Sequence, residues 1–169
     1  EILKNKKNLN KSDDSKSEPK QKATGLKAPK KHGFNQDQAI ALWLKSVFFP
    51  IDRFMGEILN PFQKQLKDLS ADPYDDQLMK TFCEYIESSQ KKIKKIQEIY
   101  QSLSTPQQLR SLSLKLYQCF SEIQDGINEW ERYTAGYVEN YLHDGKEMLR
   151  EAKKQRLILQ KEKQNFPSS

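Results

Sequence analysis

Apolar residues recur every three or four positions through most of the chain after residue 35, and strict alternation is absent, so the pattern predicts helices and no strands. The first run, Ile40, Trp43, Leu44, Val47, Ile51, Phe54, Ile58, Leu59, Phe62 and Leu66, predicts a helix over about 36–68. Asn35 or Asp37 can cap its start. Pro50 and Pro61 fall inside the run, so a kink or break is expected at one or both. The stretch 43–54 is the most hydrophobic of the chain, and its apolar residues extend around the helix. Trp43, Phe48 and Phe49 are therefore either central to a core or part of a docking surface.

A second helix is expected over about 74–103, with Asp75 and Asp76 favourable in its first turn. Met79, Phe82, Ile86, Ser89, Ile93, Ile96, Tyr100 and Leu103 step alternately by three and four, the signature of a coiled-coil seam. Ile86, Ile93, Ile96 and Tyr100 are candidate contacts for a partner or a second copy. Lys91, Lys92, Lys94 and Lys95 ring its solvent side.

Ser104, Pro106 and Gln107 read as a helix start, so a third helix over about 105–143 is expected to return antiparallel on the second. Trp130, Tyr137 and Tyr141 share one face of it and are candidate partner anchors, with core packing as the alternative. The pattern His143-Asp144-Gly145 predicts a break, followed by a charged helix over about 146–164 that either projects or folds back. The fold class is all-α: a kinked first helix against a long antiparallel hairpin, as an elongated bundle.

Composition changes this picture mainly at the start of the chain. Residues 1–34 hold ten Lys, no Arg and four acidic residues, and so carry the whole net charge of +6. With few large apolar side chains they are expected to be a disordered tail or linker ahead of a helical domain at 35–169. Lys27, Lys30 and Lys31, together with the Lys91–Lys95 ring, are candidates for touching nucleic acid or an anionic surface. Lysine without arginine gives such contacts affinity and little sequence preference.

Candidate chemistry is sparse. No phosphate-binding glycine loop, dinucleotide fingerprint or nucleophile elbow occurs. Cys83 and Cys119 each fall on an apolar helix face and are expected to be reduced, which suits a cytoplasmic, reducing compartment. The two histidines, His32 and His143, and the two cysteines have no metal-ligand spacing. No cofactor or small-molecule substrate is expected, and no run is long and apolar enough to cross a membrane. Long amphipathic helices behind a basic leader broadly resemble BAR-type membrane scaffolds, phasin-type granule coats and helical subunits of nucleoprotein complexes. Thr105-Pro106-Gln107-Gln108-Leu109 at a helix start is similar to phasins. The sequence thus predicts a non-enzymatic interaction or assembly module, self-associating or bound to a protein partner. A nucleic-acid-associated subunit is the first alternative and a membrane- or granule-surface binder the second.

Overall fold

Two prolines divide the first apolar run, and each does so differently. The computed structural model describes residues 35–167. Asn35 caps α1 (Gln36–Trp43), its side chain accepting from the Asp37 N–H at 3.3 Å. α1 passes into α2 (Phe49–Leu59) through one π-helical turn, Leu44–Phe48. Pro50 accounts for that turn: it has no N–H for the Ser46 carbonyl, and its ring would strike that oxygen in a regular α-helix. In the wider turn the Phe49 N–H reaches the Leu44 carbonyl, five residues back, and the helix continues.

At Pro61 the helix does break, and α3 (Phe62–Ala71) follows. Asn60 N–H still reaches the Gly56 carbonyl at 2.9 Å, but Pro61 has no proton for the next one. The Tyr85 hydroxyl, from the helix that follows α3, donates to the Ile58 carbonyl at 2.6 Å and so closes part of the open helix end.

α4 (Asp76–Gln101) is capped by Asp75, whose carboxylate accepts from Leu78 N–H at 2.8 Å. Its seam residues Phe82, Ile86, Ser89, Ile93 and Ile96 are buried within this chain, where α4 packs on α2, α3 and α5. The regular heptad therefore fills an intrachain core. A short 3-10 turn, Gln107–Leu109, leads into α5 (Arg110–Gly136). Ser104 does not cap this start. Instead the buried Ser113 hydroxyl joins Tyr100 at 2.9 Å and Thr105 at 3.2 Å, tying the corner together.

The third and fourth helices divide elsewhere than at the expected 143–146. α5 ends at Gly136, where Tyr137 takes a left-handed conformation (φ 57°, ψ 29°), and α6 (Glu139–Lys163) runs straight through Gly145. Gly145 is buried at the closest approach of two helices. A Cβ there would lie 2.8 Å from the Gly126 carbonyl oxygen and would run into the Trp130 indole. Glycine at this position serves packing, which outweighs its cost to the helix of about 1 kcal/mol.

α6 folds back antiparallel on α5, the most extensive helix pairing of the fold, in addition to the expected packing of α5 on α4. Trp130 Nε1 donates to the Leu142 carbonyl at 3.0 Å, Cys119 Sγ lies 3.4 Å from the Ala152 carbonyl, and Lys115 pairs with Glu162. α6 also docks on α2. Arg156 Nε donates to Asp52 Oδ1 at 2.8 Å, Gln160 Nε2 donates to the same carboxylate, and the guanidinium lies against Gly56.

Candidate functional site

One end of the molecule brings together two exposed tyrosines, one from the α3–α4 turn and one from the α5–α6 turn. The α3–α4 turn begins at Asp72, whose carboxylate accepts from Tyr74 N–H at 3.1 Å while its carbonyl accepts from Asp75 N–H. This Asx-type turn throws Tyr74 outward, 83% exposed. Opposite it, Tyr137 ends α5 with its N–H on the Tyr133 carbonyl at 2.7 Å and its ring 49% exposed. The two rings stack with centroids 6.2 Å apart and planes at 27°.

The stack is anchored in the core by a ladder of rings. Tyr137 meets Tyr133 edge-on at 5.9 Å, Tyr133 meets Phe82 at 6.4 Å, and Phe82 lies 5.0 Å from Trp130. Such contacts each add about 0.5–1.5 kcal/mol beyond burial. Tyr137 holds its place at a conformational cost of about 1–2 kcal/mol, because a Cβ crowds its own backbone in the left-handed region.

Beside the stack lies a cavity of about 330 Å³, walled by Leu66, Leu69, Pro73, Tyr133 and Leu142, with Glu139, His143 and Lys146 at its rim. Burial raises the Tyr133 phenol, and the neighbouring Tyr137, Tyr74 and Glu139 raise it further, so its hydroxyl stays protonated. The arrangement offers ring faces, an apolar recess and carboxylates.

The residues singled out in the sequence scatter. Trp43, Phe48, Ile86, Ile93, Ile96 and Trp130 are buried in the core. Tyr100 is half-buried at the Ser113 corner, and Tyr141 is half-buried with Arg132 5.9 Å over its ring. Phe49 is 41% exposed, capped by the Lys163 ammonium at 4.3 Å. Tyr137 alone of that set joins the exposed stack. Lys91, Lys92 and Lys95 line a different groove of about 430 Å³ with Phe54, Glu84 and Glu87, while Lys94 does not line it. The two carboxylates make that groove charge-polarised instead of uniformly basic. Lys27, Lys30 and Lys31 lie outside the described residues. Tyr74 was missed as a candidate, and its one signal was an aromatic directly after Asp72-Pro73, where a turn needs no large side chain.

Both cysteines are free. Burial pushes the Cys119 thiol up to about 12, with Arg156 partly opposing the effect. Burial and Glu87 also raise Cys83. Neither is an activated thiolate at neutral pH. Among the described residues no group of three His, Cys, Asp or Glu side chains converges as a metal site would require, and no helix is long and apolar enough to cross a membrane.

Residues 35–167 match the family described as cyanobacterial DnaJ chaperone, C-terminal domain. The chain belongs to this family. No curated protein and no solved structure matches it. The scaffold, granule-coat and nucleoprotein families that the helices broadly resemble are not the one matched. The tyrosine-bearing end is thus a feature of a chaperone-associated helical domain, and all the elements that build it fall within the matched residues.

Proposed function

We propose that this DnaJ C-terminal domain is a non-enzymatic protein-docking module, and that it holds polypeptide partners at the end bearing Tyr74 and Tyr137. The observation that carries this reading is the exposed stack of those two rings, one of them kept in a strained left-handed conformation. Glycine at position 137 would meet the same backbone need without strain. A tyrosine there costs stability and presents an aromatic face, which is the trade expected of a binding surface. The family supports the class of function, since a chaperone acts on other polypeptides. Residues 1–34 are proposed as a lysine-rich tail or linker, and the two free cysteines fit a reducing, cytoplasmic setting. Self-association through the α4 seam is not part of the proposal, because that seam is occupied within the chain.

The test is binding of the full chain to a fluorescently labelled, permanently unfolded protein. The double variant Tyr74→Ala/Tyr137→Gly keeps a residue suited to the left-handed position. It is expected to weaken binding by about tenfold or more, as loss of two interface tyrosines does. Unchanged affinity in a folded variant would count against the site.

A further inference from the structure

Several aromatic rings of the described residues carry a cation from the chain itself. Arg53 stands over Phe54 at 5.2 Å, Arg132 over Tyr141 at 5.9 Å, Lys153 over Phe62 at 5.9 Å and Lys163 over Phe49 at 4.3 Å. Among the described residues, Tyr74 and Tyr137 have no such cover, although Tyr74 is the most exposed large ring. Their surroundings are acidic. Asp72 and Asp75 belong to the turn that carries Tyr74, Asp76 opens α4, and Glu139 opens α6 next to Tyr137. Among the described residues none of these four carboxylates forms an ion pair with Lys or Arg. Among the described residues, Lys146 and His143 are the only basic side chains lining the cavity.

The outer faces of the stacked rings, beside carboxylates that form no ion pair, suit a guanidinium or ammonium on an apolar stem, although Asp72 and Asp75 also accept backbone N–H bonds. The rings attract the cation through their quadrupoles and cover the stem, while the carboxylates supply the opposite charge. The recess walled by Leu66, Leu69 and Leu142 takes a neighbouring apolar side chain. Resting on the docking role above, we infer that the partner is a cationic polypeptide segment, in which arginine or lysine alternates with apolar residues. The cation sits on Tyr74 and Tyr137 and the apolar side chain enters the recess. General electrostatics does not produce this preference, because residues 35–169 hold equal numbers of basic and acidic side chains and so have no net attraction for such a segment.

The experiment titrates the full chain with a labelled peptide of alternating leucine and arginine, and with twins in which glutamine or glutamate replaces arginine. The arginine peptide is expected to bind about tenfold tighter than the glutamine twin. That preference should collapse in Tyr74→Ala and Tyr137→Gly and shrink in Glu139→Gln. If the glutamine twin binds as tightly and both peptides are lost in the tyrosine variants, the cation selection is wrong while the docking face stands. If the arginine peptide binds the tyrosine variants as well as the parent chain, both the selection and the face are wrong.

Discussion

A methyl group at position 145 has nowhere to go. It would meet the Gly126 carbonyl oxygen at 2.8 Å and the Trp130 ring, which is itself fully buried and fixed by its bond to the Leu142 carbonyl. Gly145→Ala is therefore expected to destabilise the domain by about 3 kcal/mol in denaturant titration, the upper range for overpacking, despite alanine's better helix propensity. A stabilising alanine would show that the helices are not in contact there. Glu122 gives a milder, pH-dependent case. Burial raises its carboxyl above the ordinary range, and Asp125 and Glu151 raise it further. The native state thus binds the proton more tightly than the unfolded chain, so the penalty is absent below the unfolded pKa and appears as pH rises through the folded one. Glu122→Gln should raise Tm at neutral pH and lose that advantage below about pH 4. An advantage equal at both pH values would rule the account out. At this scale the sequence was legible for buried apolar side chains and poorly legible for Gly145 and Tyr137. Glycine reads locally as a helix breaker, and nothing local reports a second helix arriving against it. Tyrosine is not a residue that favours the left-handed region, so no local signal marks position 137 as a helix end.

Among the elements, α4 is where the sequence spoke most clearly, since its seam residues Phe82, Ile86, Ile93 and Ile96 are all buried. Periodicity identifies a face that must be covered. It carries no information on whether the cover comes from the same chain. Here α2, α3 and α5 provide it. Ile93→Asp places a charge in that core and is expected to cost more than about 4 kcal/mol. Its loss of Tm should be the same at every protein concentration, whereas a shift that grows on dilution would reveal an interchain seam. Pro50 and Pro61 were visible as interruptions, but their different outcomes depend on neighbours. The π turn frees the helix from the Pro50 clash, and past Pro61 a tyrosine from α4 takes up a carbonyl left open.

For the whole molecule, the all-α class was within reach of the sequence, because it rests on a pattern along the chain. The candidate site was not. Tyr74 and Tyr137 are brought together only when the α3–α4 turn and the α5–α6 turn arrive at the same end, which depends on α6 folding back through the glycine crossing. Where a partner lands therefore decides the docking role of this end. The most direct measurement is hydrogen exchange by mass spectrometry on the full chain, with and without a permanently unfolded client. Added protection is expected for amides in residues 72–78 and 133–146, with the Lys91–Lys95 groove and the Phe49 surface unchanged. Protection confined to the α4 groove, or spread evenly over all helices, would contradict the tyrosine-bearing end as the docking face.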